Sequence, residues 1–403
     1  MNLSFLSKTS GIGGTIKSEP EDFVVEEITE DGTVLELNKK ITHPDVPGRF
    51  VHFILQKKNW STSYAIKEIA SRLHAAPKRF SYAGMKDKVA VTTQLISAER
   101  FSKDQILSLS IKDISINGAW GSKDKVRLGA LLGNRFTIRV NGASNDSEEK
   151  VKQIHLELDG KFPNYFGEQR FGTVSRNTHI VGERIVRGDF EGAAMAFLCE
   201  HSKEEKNEQA KIARKELRET RDFKAALSTF PKHLRFERSM LDHLSKNDDD
   251  FIGAFRMLPR QTIMLFVHAF QSHMFNQLLS DRIREGNGEV EMEEGEYLCP
   301  SSVSGFGFPD IEKMDVDGWL CMKILGYDSN PNEREKALLE ELGISKEQFK
   351  IKHLPEISSK GTFRTAFAPL IGFAFSDSTF RFSLQSGSYA TTALREFMEK
   401  EKG

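Results

Sequence analysis

The amino-acid sequence predicts an α+β protein whose sheet takes strands from both ends of the chain. Strand-like segments lie near the N-terminus, at Phe23–Ile28, and near the C-terminus, at Phe380–Leu384. Between them, residues 180–285 follow a helical period and carry no strong strand signal. This order predicts an α+β domain interrupted by an insertion of roughly 200 residues, somewhat above the usual size of a domain.

The N-terminal part of the chain predicts two strands and one helix. Phe23–Ile28 follows a Pro-Glu-Asp turn, and Arg49–Gln56 is an apolar run of strand length. Ser63 is a candidate N-cap for a helix that ends before Pro77, because a serine side chain can accept from the free N–H groups of a first turn. The apolar residues that recur at helical spacing along it are Ile66, Ile69, Ala70 and Leu73.

Two more strands are predicted from the alternation of polar and apolar residues. Residues 135–140 alternate in this way, which is typical of a half-buried strand. The apolar side chains on its one face are Phe136, Ile138 and Val140. Residues 380–384 alternate likewise, and the Gly-Ser pair at 387–388 then turns the chain into a closing helix from 389 to about 400.

The central segment divides into helices and loops. Residues 203–224 hold 14 charged residues, 8 basic and 6 acidic, and this mixture predicts an exposed helix, with an RNA-contacting helix as the alternative. Met264–Arg284 has the pattern of an amphipathic helix that stops before Gly286. Residues 285–296 form an acidic loop to which no site is assigned, and 300–309 predict another loop.

The composition is that of an ordinary soluble globular protein. Of the 403 residues, 38% are apolar and 29% are charged, which allows two or three domains with a sizeable core. No apolar run approaches the ~20 residues of a membrane span, and the N-terminus does not resemble a signal peptide. The three cysteines are widely spaced, so we expect neither a zinc site nor a disulfide framework, and a reducing, cytoplasmic compartment is favoured.

Charge is unevenly distributed along the chain. The net charge is −1, yet residues 57–139 contain 16 Lys or Arg against 6 Asp or Glu, a surplus of +10, so the remainder carries −11. A basic segment of this kind predicts phosphate binding, although a solvated surface with chance asymmetry accounts for it equally well. The acidic remainder limits indiscriminate binding, so a nucleic-acid partner would be recognised by shape as well as charge.

One carboxylate stands out within the basic segment. Asp87 lies between Lys86 and Lys88, shortly after Ala83 and Gly84. Gly84 can adopt backbone angles closed to other residues, which permits a sharp turn, and the flanking ammonium groups favour the ionised carboxylate. Such an aspartate suits attack on a sugar or base of a nucleic acid, whereas a turn-forming or solvated aspartate is the alternative.

Other motifs that could carry chemistry are incomplete. The glycines at 11–14 have no preceding strand and no Lys-Ser/Thr ending, so we expect neither a Rossmann loop nor a P-loop, and no nucleotide cofactor. His268 and His273 are five residues apart, a poor spacing for sharing a metal on one helix face. The Ser-Gly pairs at 304–305 and 386–387 lack the elbow motif of hydrolases.

Six segments, in the same order, resemble the motifs of the TruD family of tRNA pseudouridine synthases. Residues 83–94 read Ala-Gly-Met-Lys-Asp-Lys-Val-Ala-Val-Thr-Thr-Gln, which resembles the active-site motif of that family. The most recognisable run is Pro-Asn-Tyr-Phe-Gly-Glu-Gln-Arg-Phe-Gly at 163–172. The other four segments lie at 17–26, 127–136, 269–276 and 386–395. Together they extend over nearly the whole chain, which makes them far more specific than any single motif.

The resemblance implies a fold and a domain plan. TruD-like proteins have a synthase core with a mixed, largely antiparallel sheet and helices, interrupted by an inserted α+β domain, with an RNA-binding cleft between the two. The corresponding boundaries are 1–162 for the first part of the core, 163–365 for the inserted TRUD domain and 366–403 for the second part of the core.

The resemblance also implies the chemistry. Pseudouridine synthases cleave the N-glycosidic bond of a uridine, turn the base and rejoin it through carbon, with one essential aspartate and neither a metal nor a cofactor. That aspartate corresponds to Asp87, as nucleophile at the sugar or as the base that removes a sugar proton. The ion-pair partner of the aspartate corresponds to Lys17, which the sequence alone would place on the surface at the start of a strand.

The target base must be flipped out of the folded RNA and held by stacking and hydrogen bonds. The stacking aromatic of the family corresponds to Phe136, with Asn134 beside it as a uracil-binding residue. The pattern alone favours a core position for Phe136 and allows a turn at Asn134. The residues predicted to contact RNA are Lys78, Arg79, Lys86, Lys88 and Arg170. Arg170 belongs to a polar cluster at 164–170, interpreted either as a wall of the cleft or as a loop over the core.

The function predicted from these observations is that of a TruD-like tRNA pseudouridine synthase of the archaeal and eukaryotic type, acting on the uridine at position thirteen of the D arm. The alternative is an RNA-binding or RNA-folding protein with the same fold and no essential catalysis, against which the intact Asp87 motif argues. We expect a monomer with tRNA as its partner and no membrane association.

Overall fold

The computed structural model describes residues 3–172, 177–200, 205, 207–314 and 317–399. These residues form two compact units, each built from several chain segments. The first, called the sheet unit, comprises Phe5–Asn164, Ser301–Gly307 and Phe367–Gly403. The second, called the helical unit, comprises Met1–Ser4, Tyr165–Pro300 and Phe308–Ala366.

The strands belong to one large sheet and two small ones. Numbered along the chain, they are β1 (Phe23–Ile28), β2 (Phe50–Lys58), β3 (Phe80–Tyr82), β4 (Val91–Glu99), β5 (Ile114–Ser122), β6 (Gly133–Arg139), β7 (Lys161–Pro163), β8 (Tyr297–Cys299), β9 (Trp319–Ile324), β10 (Thr362–Thr365), β11 (Phe367–Pro369), β12 (Ile371–Ser376) and β13 (Thr379–Gln385). The sheet unit holds an eight-stranded sheet and the β7–β11 pair, and the helical unit holds β8, β9 and β10.

The eight-stranded sheet has the order β12-β13-β6-β1-β4-β2-β5, with β3 also paired to β4. Within it, β1 and β4 run parallel, and every other pair is antiparallel. The sheet therefore has the mixed, largely antiparallel character that was predicted. It also takes strands from both ends of the chain, since β1 and β13 pair with opposite edges of β6.

Helices flank the large sheet and make up most of the helical unit. They are α1 (Thr62–Arg72), α2 (Lys103–Leu107), α3 (Ser147–Leu158), α4 (Thr178–Arg187), α5 (Phe190–Cys199), α6 (Glu208–Thr220), α7 (Phe223–Thr229), α8 (Arg235–Leu244), α9 (Phe251–Arg256), α10 (Arg260–Glu285), α11 (Glu333–Glu341) and α12 (Ala390–Met398). Short 3-10 helices lie at Pro20–Asp22, Pro77–Arg79, Glu168–Phe171, Lys346–Phe349 and Pro355–Ile357. No helix in the described ranges is long and apolar enough to cross a membrane.

Three helices differ in detail from the sequence expectations. The N-cap of α1 is Ser61, whose hydroxyl accepts from the Tyr64 N–H at 3.3 Å; the prediction of Ser63 is wrong because the helix begins at Thr62. The closing helix α12 ends at Met398, and its predicted end near 400 lies outside the described residues. α10 is buried on most sides and carries buried polar side chains as well as apolar ones, so it is a core helix and not an amphipathic one.

The charged segment at 203–224 is only partly described, since 203, 204 and 206 lie outside the described residues. Its described part contains α6, which has one buried charged residue, Arg214. Arg214 donates to a carboxylate oxygen of Glu237 at 2.8 Å and to the carbonyl oxygen of Leu198 at 2.7 Å. The helix is therefore not exposed on every side as the mixed charge suggested.

The main core of the sheet unit lies where β1, β6 and β13 pack against α3 and α12. Its largest members are aromatic, namely Phe23, Phe136, Phe162, Phe380, Phe382 and Phe397. A second core packs α1 against β2 and β4. Burial of a side chain of this size contributes about 1.5–3 kcal/mol, so these two cores fix the central strands of the sheet and with them the positions of the side chains at the candidate site.

Candidate active site

Asp87 and Lys17 form an ion pair in the sheet unit. Lys17 Nζ donates to Asp87 Oδ1 at 2.8 Å, and the two side chains are 21% and 34% exposed. The cation next to the carboxylate is therefore Lys17, which is distant in sequence, and neither of the flanking lysines. The pair is thus only partly buried, which leaves the carboxylate accessible to a ligand.

The backbone at Lys17 is in an uncommon conformation. Its φ of 62° places a non-glycine residue in the left-handed region, which costs of order 1 kcal/mol and persists only when the surroundings hold it. Its Nζ also lies 3.9 Å from the centroid of the Phe23 ring, a cation–π contact. Gly84 does not adopt the backbone angles that only glycine favours, because it has no positive φ, and a Cβ there would meet nothing within 4 Å.

Strand register forms a row of side chains across the sheet at this site. Lys57 in β2 pairs with Thr92 in β4, and Thr92 pairs with Val25 in β1. Val25 pairs with Phe136 in β6, which pairs with Phe382 in β13. Directly opposite residues project to the same face of a sheet. The row therefore runs from a lysine at one end to aromatic residues at the other.

Lys57 is fully buried and holds the segment that carries Asp87. Its Nζ donates to the main-chain carbonyl oxygen of Asp87 at 2.8 Å and to that of Trp60 at 2.7 Å. Burial lowers the pKa of Lys57 from 10.5 to about 8, although the charge of Asp87 opposes this shift. Sequence reasoning missed this residue, although Lys57 continues the inward-facing positions Phe53 and Leu55 along β2.

Lys86 and Asn134 meet on the same face, one step along the strands. Lys86 Nζ lies 2.8 Å from Glu27 Oε2 and donates to Asn134 Oδ1 at 2.7 Å, and Glu27 is the register partner of Asn134. The Lys86 and Glu27 side chains are 5% and 1% exposed. The structure thus places Lys86 inside the protein. A contact with an RNA phosphate would require it to lie on the surface.

The other basic residues named for RNA in the sheet unit divide into two kinds. Lys78 and Lys88 are exposed and form no ion pair with any described residue. Arg79 is half-buried: its guanidinium donates to the carbonyl oxygens of Glu99 and Arg100 and lies 4.0 Å from the Phe101 ring centroid. Lys78 and Lys88 are therefore available to a polyanion, whereas Arg79 joins the turn before β3 to the end of β4.

Arg170 belongs to the helical unit. It lies within the 3-10 helix Glu168–Phe171, and its Nε donates to Ser272 Oγ in α10 at 3.2 Å. The guanidinium carbon lies 5.7 Å from the centroid of the Phe166 ring. Arg170 is thus held by contacts within the helical unit. Asn164 belongs to the sheet unit, where it follows β7 and accepts a hydrogen bond from Ser388 Oγ at 2.9 Å.

Phe136 lies in the main core of the sheet unit. It is 6% exposed and packs between Phe23 and Phe382, with ring centroids 6.1 and 5.7 Å away. The position agrees with the alternation of apolar residues along β6, which favours a core residue. The Phe23 ring also contacts the ammonium group of Lys17, so Phe23 links Phe136 to the Lys17–Asp87 pair.

Three exposed apolar side chains lie around the Asp87 segment and were not singled out from the sequence. Met85 and Val89, on either side of Asp87, are 77% and 42% exposed, and Leu128 is 84% exposed. The Leu128 loop is joined to the segment because the Gly129 N–H donates to the Ala83 carbonyl oxygen at 2.7 Å. Exposed apolar side chains are a signal for binding, but only the folded chain shows that the loop of Leu128 is hydrogen-bonded to the segment that carries Met85 and Val89.

The arrangement combines an accessible carboxylate, a cation that holds it, and a half-buried amide close to the same sheet face. Within the described ranges, no three or more His, Cys, Asp or Glu side chains are grouped so as to hold a metal ion. The chemistry that these groups can perform is nucleophilic attack or proton abstraction by the carboxylate on a bound sugar or base.

Comparison with known proteins gives consistent results. Residues 2–397 match the family model for tRNA pseudouridine synthase D (TruD). A Methanosarcina acetivorans protein named probable tRNA pseudouridine synthase D is 35% identical over 433 residues, which cover 98% of this chain and 95% of the relative. An Archaeoglobus fulgidus protein of the same name is 36% identical over 418 residues, or 98% and 97% of the two chains. A crystal structure assigned to TruD from Methanosarcina mazei matches with a TM-score of 0.76 and 34% identity, over 98% of this chain and 95% of that chain.

Proposed function

Because this chain belongs to the TruD family of tRNA pseudouridine synthases, we propose that it isomerises the uridine at position thirteen of the tRNA D arm, with Asp87 as the catalytic carboxylate. The observation that carries this proposal is the Lys17–Asp87 ion pair, which joins two segments that match family motifs. It places one accessible carboxylate beside a fixed cation, which is what the reaction requires of the protein.

The reaction conserves all atoms of the uridine. The bond between N1 of the base and C1′ of the ribose breaks, the base turns, and a bond forms between C5 and C1′, after which C5 loses a proton and N1 gains one. Asp87 acts either as the nucleophile at C1′ or as the base that removes the C2′ proton. In both cases Lys17 fixes the carboxylate in position before the substrate arrives.

The remaining features fit a flipped nucleoside within a folded RNA. Asn134 supplies a polar contact for the base edge, and the small exposed part of Phe136 supports the base from the core. Met85, Val89 and Leu128 offer apolar surface to the bases that flipping leaves unstacked. The exposed cations Lys78 and Lys88, which lie close to the Asp87 motif in sequence, contact the phosphates.

The proposal is tested with an unmodified tRNA transcript, mapped by carbodiimide-dependent primer extension. We expect one new stop, at position thirteen, from the wild-type protein and none from Asp87→Asn, which keeps the shape of the side chain without its charge. Asp124→Asn, an exposed aspartate of the same basic segment, is the matched control and should remain active.

Two outcomes would contradict the proposal. Turnover well above background by Asp87→Asn would remove the assigned catalytic carboxylate, provided that the variant and the wild type show the same melting temperature. A stop at another uridine would keep the reaction and the role of Asp87 but overturn the assignment of position thirteen.

A further inference from the structure

The side-chain amide of Asn134 is oriented by a buried ion pair. Lys86 Nζ donates to Asn134 Oδ1 at 2.7 Å and lies 2.8 Å from Glu27 Oε2. Glu27 is held in turn, because the main-chain N–H of Leu95 donates to its other carboxylate oxygen at 3.0 Å. The three side chains therefore form a connected set on one face of β1 and β6.

The chemistry of lysine permits one amide orientation only. An ammonium group has three donors and no acceptor, so the atom of Asn134 that faces Lys86 must be the oxygen. The amide nitrogen then points away from Lys86 with its two donors, and no described residue accepts from it. Asn134 is half-buried and thus presents a fixed hydrogen-bond donor to the accessible side of the site.

A uracil ring matches such a donor. It carries two carbonyl acceptors, O2 and O4, separated by a single N–H donor at N3. An asparagine that is free to rotate could present either its oxygen or its nitrogen to the base, and only the nitrogen can bind a carbonyl oxygen. With its orientation fixed, Asn134 cannot turn its side-chain oxygen toward a carbonyl oxygen of the base, an arrangement in which two acceptors would face each other.

The ion pair that fixes the amide is costly to maintain, which argues for a use. Both side chains are almost fully buried, and the desolvation of a buried ion pair often offsets its attraction. Neither group touches the Lys17–Asp87 pair through any hydrogen bond or ion pair among the described residues. The polar contact that the Lys86–Glu27 pair makes toward the site is the hydrogen bond from Lys86 to Asn134.

We infer that Lys86 and Glu27 are positioning residues that fix Asn134 as a donor to a carbonyl oxygen of the flipped uracil. This inference rests on the proposed function and adds the kind of base atom that Asn134 binds, a carbonyl oxygen, and the ion pair that orients Asn134. Lys86 thus acts through Asn134 and not through an RNA phosphate.

Thio-substituted tRNA tests the inference directly. Sulfur is a weaker acceptor than oxygen, so transcripts ligated to carry 2-thiouridine or 4-thiouridine at the target position weaken one carbonyl contact at a time. For each protein, we divide the single-turnover rate with the normal transcript by the rate with the thio-substituted transcript, both at saturating enzyme, and this rate ratio is compared between proteins. Any intrinsic effect of sulfur on the chemistry is common to all proteins and cancels when their ratios are compared.

We expect the wild-type ratio to exceed that of Asn134→Asp by about two- to tenfold at one of the two positions, the usual effect of one hydrogen bond. The aspartate keeps an oxygen for Lys86 but has no donor. The double variant Glu27→Gln with Lys86→Met should show the same loss of the ratio, and it avoids leaving one buried charge unpaired.

A matched control exists on the opposite face of the same two strands. Glu26 and Arg135 are register partners, and Arg135 Nε donates to Glu26 Oε2 at 2.7 Å. Glu26→Gln with Arg135→Met should keep the wild-type ratio. This comparison separates a general weakening of β1–β6 pairing from the loss of the oriented amide.

The outcomes are distinguishable. Equal ratios in the wild type and Asn134→Asp at both positions would overturn the contact while the proposed function stands. An unchanged ratio in the Glu27–Lys86 double variant, with only a lower overall rate, would leave the pair a merely structural role and overturn the orienting part. A wild-type protein that forms no pseudouridine in the normal transcript would instead defeat the proposed function.

Discussion

Lys57 donates a 2.8 Å hydrogen bond from its buried ammonium group to the main-chain carbonyl oxygen of Asp87. A second bond, to the carbonyl oxygen of Trp60, ties the same group to the residue before the N-cap of α1. A buried ammonium costs free energy unless it is hydrogen-bonded and paired. Here two carbonyl oxygens and the nearby charge of Asp87 compensate it, so the central strand β2 holds the segment on which Asp87 lies.

Lys57→Met should lower turnover by roughly 10- to 100-fold, because a small displacement of a reacting group has effects of this size. The affinity for tRNA should change little, since Lys57 is buried and contacts no phosphate. Single-turnover rates and filter binding measure the two quantities. The control is Lys58→Met, an exposed neighbour paired with Glu21. A Lys57→Met protein with turnover within about twofold of wild type would show that these two bonds do not position Asp87.

Stability should depend on pH through Lys57. Burial lowers its pKa from 10.5 to about 8, so above about pH 8 the unfolded chain binds the proton that the folded protein has lost, and folding becomes more favourable as pH rises. The charged neighbours that act on Lys57 are Asp87, which raises the pKa, and Lys86, which lowers it.

The free energy of unfolding of the wild type, relative to Lys57→Met, should therefore increase by roughly 2–3 kcal/mol between about pH 8 and about pH 10. The neutral amine keeps two N–H donors, enough for both carbonyl oxygens. Denaturant unfolding of the two proteins across this range measures the difference, in which all other titrating groups cancel. A difference that is flat with pH would mean that Lys57 keeps its proton in the folded protein throughout this range.

Lys17→Met should lower turnover strongly while it changes the stability of the fold only slightly. The Lys17–Asp87 pair is partly exposed, and such pairs contribute about 0–1 kcal/mol to folding. The methionine also has no charge to fix the carboxylate, so we expect turnover to fall by roughly 100-fold with a nearly unchanged melting temperature. Lys39→Met, which removes the exposed pair with Glu36, is the control. Full activity of Lys17→Met would leave the ion pair without a catalytic role.

Alternation of polar and apolar residues predicted β6 and β13, whereas β1 was predicted as a strand after a Pro-Glu-Asp turn and is buried along nearly its whole length. The same patterns did not give β4 and β5, whose sequences are mixed in polarity and are fixed by pairing with β2. The contacts between side chains at the site were even harder to predict from the sequence. Lys17 and Asp87 are 70 positions apart, so only the resemblance to a family connected them. Nothing local to Lys86 indicates that it points inward to Glu27, since burial of a charge depends on a partner that another strand supplies.

Phe136 allows a test between core support and base stacking. Phe136→Ala should lower stability by roughly 3–5 kcal/mol if the ring acts as a core residue, as its packing between Phe23 and Phe382 indicates. Phe382→Ala removes a neighbouring buried ring and serves as the control. If Phe136 also supports the base, turnover at low temperature should fall further for Phe136→Ala than for Phe382→Ala. Equal turnover in the two variants would limit Phe136 to the core.

Affinity for tRNA should fall steeply with salt, because cations that bind phosphates release counterions, and each contact adds ~0.7–0.9 to the log–log slope. The structure selects Lys78 and Lys88 for the test, since both are exposed and form no ion pair with described residues. Neutralising both should weaken binding and flatten the slope by up to about two units, while turnover at saturating tRNA changes less than in Lys57→Met.

The matched control removes two cations of the same basic segment that are already paired. Lys58 pairs with Glu21 and Lys103 pairs with Asp45, so their double neutralisation should change the slope less, although it removes the same charge. Equal slopes for the two double variants would mean that net charge, and not the exposure of Lys78 and Lys88, governs binding. A slope unchanged in both would place the phosphate contacts outside these four lysines, and the exposed Lys125 and Arg127 beside Leu128 would be the next pair to neutralise.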